Sequence, residues 1–83
     1  MRIVNETQQA EDKIKSLELW DRYQKQKAFF IANPSHHSLD FCLWDKKTRI
    51  CSFKITNQYR VKVIKNPEGS YTVFDAGDFH KPK

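Results

Sequence analysis

The chain has 83 residues, 39% of them hydrophobic and 30% charged, a composition typical of a globular domain and not of a disordered tail. Fifteen lysines and arginines against ten acidic residues give a net charge of +5, which favours an acidic partner such as nucleic acid or an acidic protein. No segment approaches the roughly eighteen consecutive apolar residues of a membrane span, and Met1–Ala10 lacks a signal-like apolar run. We therefore expect residues 1–83 to form a single cytoplasmic domain.

The first third of the chain has the hydrophobic spacing of a helix. Apolar residues recur there at three- and four-residue steps, at Ala10, Ile14, Leu17, Trp20, Tyr23, Phe30 and Ile31. Asn5 followed by Gln8 is a weak capping pattern. Asn33 precedes Pro34, and a proline disfavours the helical conformation in the residue before it. The pattern predicts either one long helix or a helical hairpin broken near Ser16–Glu18.

Beyond the helical segment the apolar period changes to two, as in strands that bury one face. The alternating segments are Leu39–Leu43, Cys51–Ile55, Tyr59–Val63 and Ser70–Ala76, and Ile3–Val4 is a candidate short first strand. Turn residues separate these segments. The order of elements predicts an α+β fold in which an N-terminal helix or helical hairpin packs on one face of a small twisted antiparallel sheet.

A three-residue turn at Thr56–Gln58 predicts the register of the central hairpin. This turn places Phe53 opposite Val61 on the face that the helices can cover, and Lys54 opposite Arg60 on the other face. Shifting the pairing by one residue would mix apolar and charged side chains on both faces, which a half-buried sheet does not tolerate. The two faces of this hairpin should therefore differ sharply in polarity.

The turns on either side of this hairpin predict two further pairings. The following turn places Arg60 opposite Asp75, and a four-residue turn at Asp45–Thr48 places Cys42 opposite Cys51. A cross-strand disulfide is conceivable in that register. Reduced, partly buried thiols are favoured in a cytosolic protein.

The positive charge is concentrated in residues 46–65, which contain no acidic residue. Their seven basic residues are Lys46, Lys47, Arg49, Lys54, Arg60, Lys62 and Lys65. Like charges directly across a strand pair are destabilising, so a polyanion that neutralises them would explain the cluster. The alternative is a solvated strand face with a surface salt bridge between Arg60 and Asp75, worth about 0–1 kcal/mol.

Three strings in the sequence resemble the RelE/ParE superfamily of bacterial type II toxins. The helix and its break, WDRYQKQKAFFIANPSHHSL, the hairpin CSFKITNQYRVKVI and the last strand SYTVFDAGDFH occur in the family's order. The resemblance implies helices on one face of the sheet and a basic concave surface on the other. It also implies a toxin that a cognate antitoxin neutralises. In one branch such toxins cleave messenger RNA on the ribosome, and in the other they inhibit DNA gyrase.

The resemblance also implies roles for individual residues. In the ribonuclease branch the 2′-hydroxyl attacks the neighbouring phosphate, which requires proton transfer and stabilisation of phosphate charge but no metal or cofactor. Arg60 matches the phosphate-contacting arginine, Lys54 matches a basic residue that holds phosphate or acts as a base, and His80 matches a general acid. The residues expected to extend the phosphate track are Lys62, Arg49, Lys46 and Lys47.

Departures from the family pattern keep other functions open. His80 is followed by Lys81–Lys83 where the family has an acidic residue and often a tyrosine, and the strands contain no glutamate that could act as a base. A gyrase inhibitor, a catalytically decayed binding module and a generic RNA-binding domain therefore remain alternatives. His36 and His37 are expected in a loop, without further metal ligands at suitable spacing.

Overall fold

The computed structural model describes residues 3–79, in which two helices pack on one face of a five-stranded sheet. The elements are β1 (Val4–Glu6), α1 (Gln8–Ser16), α2 (Trp20–Ala32), a short 3-10 helix (His37–Leu39), β2 (Cys42–Asp45), β3 (Ile50–Lys54), β4 (Arg60–Lys65) and β5 (Tyr71–Gly77). The predicted α+β class is confirmed, and the helical segment is a hairpin. Within this range no helix has the length and apolar character needed to cross a bilayer.

Local signals set the limits of the two helices. The side chain of Thr7, and not Asn5, caps α1, since its Oγ1 accepts a hydrogen bond from the backbone N of Ala10 at 3.1 Å. The break between the helices includes Glu18, whose φ of 58° lies in the left-handed region that ends a helix. The second helix stops at its predicted place, just before the Asn-Pro step that contains Pro34.

The sheet has the strand order β1-β5-β4-β3-β2. Strand β1 runs parallel to β5, and the other neighbouring strands are antiparallel. The parallel pairing of β1 with β5 was not part of the predicted antiparallel meander, because a strand of three residues gives no sign of its partner. Leu39, expected in a strand, is buried in the 3-10 helix, and β2 begins only at Cys42.

The central hairpin has the predicted register. Phe53 pairs with Val61 and Lys54 pairs with Arg60. The loop closes through a hydrogen bond from the backbone N of Ile55 to the carbonyl oxygen of Tyr59 at 2.8 Å. The apolar pair faces the helices and the basic pair faces away from them, as alternation along a strand requires.

The β4–β5 register differs from the prediction. Arg60 pairs with Gly77, and Asp75 pairs with Lys62. The register shifts between Lys62 and Val63, where β5 contributes one extra residue. Such a bulge keeps the apolar residues of both strands on the core face while it changes the residue count. The prediction assumed strict alternation, which the extra residue interrupts, since the buried Val73 and Ala76 are three positions apart.

The β2–β3 register also differs by one residue. Cys42 pairs with Ser52, and Cys51 pairs with Leu43, so the pairing that made a disulfide conceivable is wrong. Both cysteines are free thiols. Burial is the main cause that raises the pKa of the Cys51 thiol to about 11, and the nearby Cys42 adds to the effect.

Aromatic rings join the helices to the sheet. The ring of Phe30 on α2 lies 5.0 Å from that of Phe53 and 5.0 Å from that of Tyr71, between centroids. Tyr23, about two helical turns before Phe30 on α2, stacks over Phe53 at 6.4 Å between ring centroids. These rings are much of the core, and they hold the β3–β4 hairpin in a fixed position against the helical layer.

Candidate phosphate-binding cleft

A cleft of about 320 Å³ opens at the end of the β3–β4 hairpin. It contains the basic pair that faces away from the helices, and we refer to it as the Lys54–Arg60 cleft. Its lining residues are Asp40, Lys54, Asn57, Gln58, Arg60, Asp78 and Phe79.

The hairpin loop shapes one wall of this cleft. The Oγ1 of Thr56 accepts hydrogen bonds from the backbone N of Gln58 at 3.2 Å and of Tyr59 at 3.1 Å, which fixes the turn. Lys54 extends toward this loop, and its Nζ lies 3.4 Å from the Oδ1 of Asn57. This weak contact leaves the ammonium group of Lys54 able to bind an anion in the cleft.

Arg60 lies on the predicted face of the sheet, but its side chain is buried and not exposed on a basic concave surface. Only 6% of its surface is exposed. Its Nε donates to the Oγ of Ser52 at 3.1 Å, and its guanidinium binds both the carboxylate and the backbone carbonyl oxygen of Asp40. The partner is Asp40 and not the predicted Asp75. The buried guanidinium thus joins the segment before β2 to strands β3 and β4.

The charge of the cleft is nearly balanced. Lys54 and Arg60 supply two positive charges, and Asp40 and Asp78 supply two negative ones. Among residues 3–79, the lining of this cleft therefore carries no net positive charge, unlike the basic concave surface that the resemblance implied. A phosphate that reached Arg60 would have to compete with Asp40, which lies 3.2 Å from the guanidinium.

Gln26 is a positioning residue that sequence patterns did not indicate. It lies on α2, is 8% exposed, and its Nε2 donates to the carbonyl oxygens of Ser38 at 3.0 Å and Lys54 at 2.8 Å. One amide group thereby holds the 3-10 segment and the end of β3 in place. A glutamine within a helical pattern reads as a surface residue, so only the structure shows this role.

Lys62 shares the face of Arg60 but packs among aromatic rings outside the cleft lining. Its Nζ lies 4.8 Å from the ring centroid of Trp44 and 4.3 Å from that of Phe79. The indole N–H of Trp44 donates to the Oγ of Ser52. Phe79 also lines the cleft, so this aromatic cluster adjoins the site.

The remaining predicted phosphate-track residues lie elsewhere. Lys46, Lys47 and Arg49 belong to the exposed turn between β2 and β3, at the opposite end of β3 from Lys54. Five strand residues separate the two ends, a distance of roughly 13 Å. The basic run is therefore divided between the two ends of the hairpin, and phosphate binding by Lys46, Lys47 and Arg49 stays a prediction.

The histidines contribute little to the described part of the cleft. His80 lies outside the described residues. His36 stacks on Phe29 at 4.2 Å between ring centroids and accepts a hydrogen bond from the backbone N of Ser38, while His37 begins the 3-10 helix. Within residues 3–79, no group of three or more His, Cys, Asp and Glu side chains is placed to hold a metal ion.

Comparison with solved structures identifies the fold. YafQ from Escherichia coli strain BL21(DE3) superposes with a TM-score of 0.69, covering 94% of this chain and 93% of that chain at 9% sequence identity. The chain therefore shares the fold of YafQ, which agrees with the RelE/ParE-like fold that its motifs predicted. No protein-family model and no curated protein sequence matches the chain.

Proposed function

We propose that this chain is the toxin of a toxin–antitoxin pair and acts as a metal-independent, ribosome-dependent endoribonuclease on messenger RNA. The observation that carries the proposal is the convergence of Lys54 and Arg60 on one cleft, in a fold shared with a RelE-family toxin. A cognate antitoxin is the partner that such a toxin requires.

In this proposal the cleft binds the phosphate at the cleavage point. The ammonium group of Lys54 contacts the phosphate and stabilises its added charge while the 2′-hydroxyl attacks phosphorus and gives its proton to a water molecule. Arg60 holds the floor of the cleft and supplies positive charge from below it. His80 protonates the leaving 5′-oxygen as a general acid.

The test compares Lys54→Ala with Lys25→Ala. Lys25 is an exposed lysine on α2, on the other side of the sheet, so both variants lose one surface ammonium group. We expect the parent and Lys25→Ala to arrest growth on expression and to leave cuts within codons, mapped by primer extension. Lys54→Ala should reduce cleavage at least about tenfold. Equal cleavage by a folded Lys54→Ala variant would contradict the assignment.

Ribosome dependence has its own measurement. Purified protein is added to a defined transcript with and without translating ribosomes, and cuts are mapped in both samples. We expect cleavage only in the translating sample. Equal cleavage of free transcript would mean that the cleft binds and cuts RNA unaided.

The alternative function is a ParE-like inhibitor of DNA gyrase or a catalytically decayed binding module. The observation that favours it is the state of Arg60, which is buried and already paired with Asp40. This function predicts intact transcripts after induction and, for the gyrase inhibitor, loss of supercoiling activity when the purified chain is added to gyrase.

A further inference from the structure

An apolar depression of about 260 Å³ lies on the helix-facing side of the sheet, beyond the end of α2. We call it the Leu43 patch. Its floor consists of Phe41, Leu43, Cys51 and Tyr71, and its rim consists of Lys46, Arg49 and Lys65. The ring of Phe30, near the C-terminal end of α2, reaches the rings of Phe41 and Tyr71 at its border.

Two side chains of the floor are unusually exposed for apolar residues. Phe41 is 41% exposed and Leu43 is 50% exposed. Leu43 pairs with Cys51 across the β2–β3 ladder, so both face the side of the sheet that the helices cover elsewhere. The helical layer therefore stops short of this corner, and adjoining apolar surface of this kind is typical of a protein-interaction site.

The rim of the patch has one sign of charge. Its charged side chains are all lysine or arginine, and no acidic side chain of residues 3–79 is part of the lining. An acidic ligand is therefore complementary to the rim. Phe41 and Tyr71 could stack on bases, but a half-exposed leucine beside an unpaired strand edge is a combination that suits an acidic protein segment.

The same corner has a free strand edge. Strand β2 is the last strand on its side of the sheet, and no strand of the described chain pairs with its outer edge. An added strand would take its backbone hydrogen bonds from this edge. Side chains alternate along such a strand, so apolar groups at every second position would meet the floor of the patch.

We propose that the Leu43 patch and the free edge of β2 bind an extended acidic segment of a partner protein. Apolar side chains at alternate positions lie on the floor, and carboxylates lie beside the basic rim. Naming this partner as the antitoxin rests on the proposed function. The binding itself does not, because the patch lies apart from the Lys54–Arg60 cleft and shares none of its lining residues.

The test is a titration of the ¹⁵N-labelled full chain with a synthetic octapeptide that alternates leucine and glutamate. We expect saturable shifts of backbone amides in β2 and around the patch. A peptide that alternates leucine with lysine lacks the complementary charge, and one that alternates serine with glutamate lacks the anchors. Both should bind at least about fivefold more weakly.

Leu43→Ser and Ile3→Ser form a matched pair of variants. Each removes an exposed aliphatic side chain, Leu43 from one edge of the sheet and Ile3, which is 64% exposed, from the region of β1 at the other. We expect Leu43→Ser to weaken peptide binding about fivefold or more and Ile3→Ser to leave it unchanged. Equal binding by both variants would overturn the proposal, as would a parent chain with no saturable shifts.

The remaining outcomes separate this proposal from the proposed function. Titration with a uridine decamer that shifts the same amides more strongly than the acidic peptide would assign the patch to RNA and reject the protein segment. If the peptide fails to bind while the chain still cleaves transcripts, the patch proposal alone is wrong. If the peptide binds with the expected specificity and no transcript is cut, the nuclease function is wrong and the patch proposal stands.

Discussion

The two faces of the β3–β4 hairpin bury side chains to a similar extent by different means. On the helix-facing side Phe53 and Val61 are fully buried by apolar contacts. On the other side Ser52 is fully buried and Arg60 is 6% exposed, and hydrogen bonds satisfy both. Among the described residues, no buried side-chain nitrogen or oxygen lacks a hydrogen-bond partner. The comparison shows that a strand position opposite the core can be structural as well as functional.

The core face should be the more sensitive of the two. We expect Phe53→Ala to lower the free energy of unfolding by about 3–5 kcal/mol, because it removes a fully buried ring that contacts Phe30 and Tyr23. Urea denaturation followed by circular dichroism measures the change. Phe79→Ala, on the opposite and partly exposed face, is the control and should lose clearly less. Equal losses would remove the distinction between the two faces.

The polar face should lose less when its ion pair is broken. Asp40→Ala removes the carboxylate that Arg60 contacts, and we expect the free energy of unfolding to fall by about 1–2 kcal/mol. The Asp40 side chain is 38% exposed, so solvent screening keeps the loss below that of a fully buried pair. Asp78→Ala, an exposed carboxylate in the same cleft, should change stability by less than about 0.5 kcal/mol. Similar values for both variants would show that the Asp40 pair is only a surface contact.

A polar contact between α2 and the end of β1 provides a third test, on the helix-facing side of the sheet. The hydroxyl of Tyr23 donates to Glu6 at 2.6 Å, and Glu6 also pairs with Lys27 at 2.7 Å. We expect Tyr23→Phe to lower the free energy of unfolding by about 1 kcal/mol at neutral pH, because the phenyl ring keeps the packing and loses only the hydrogen bond. Thermal and urea unfolding at pH 7 measure it. A loss above about 3 kcal/mol would mean that the hydroxyl, and not the ring, dominates this contact.

The same variant gives a prediction for alkaline pH. Burial, and then the hydrogen bond to Glu6, raise the pKa of Tyr23 above its ordinary value near 10. The folded state therefore keeps the proton that the unfolded chain releases, so this stabilisation is complete below about pH 10 and is lost as pH rises further. The parent should lose stability above about pH 10 more steeply than Tyr23→Phe. Parallel curves for the two proteins would contradict the pKa shift.

The smallest effect concerns Lys62 on the polar face. Its ammonium group contacts the rings of Trp44 and Phe79, and we expect Lys62→Met to cost about 0.5–1 kcal/mol of unfolding free energy. Lys47→Met, in the exposed β2–β3 turn, is the matched control and should be neutral. If Lys62→Met is also neutral, the cation–aromatic contacts do not stabilise this face.

The sequence predicted the features that depend on local alternation and on turn residues. The helical segment, the end of α2 before Pro34 and the Phe53–Val61 pairing all follow from such patterns, while the patterns leave open the choice between one helix and a hairpin. The registers of the outer strands did not, since an extra residue in β5 places the buried Val73 and Ala76, three positions apart, on the same face. The parallel pairing of β1 with β5 was also not predicted, because a strand of three residues gives too little pattern to indicate its partner.

For the cleft, the sequence placed the basic pair correctly and missed its surroundings. The spacing of one hairpin was enough to bring Lys54 beside Arg60. Asp40 and Gln26 reach the same region from other elements, and no spacing within the sequence relates them to the hairpin. Charge density along the sequence also does not show that the basic run of residues 46–65 divides between the ends and faces of the sheet.

The paired hydrogen bonds of Gln26 have a consequence for motion. A single amide on α2 supports both the segment before β2 and the last residue of β3. Any opening that lifts α2 from the sheet must release both supports together, so α2 and the rim of the cleft form one cooperative unit. Amide hydrogens at these sites should then exchange with a common opening free energy. A motion that loosens α2 would also disrupt the cleft.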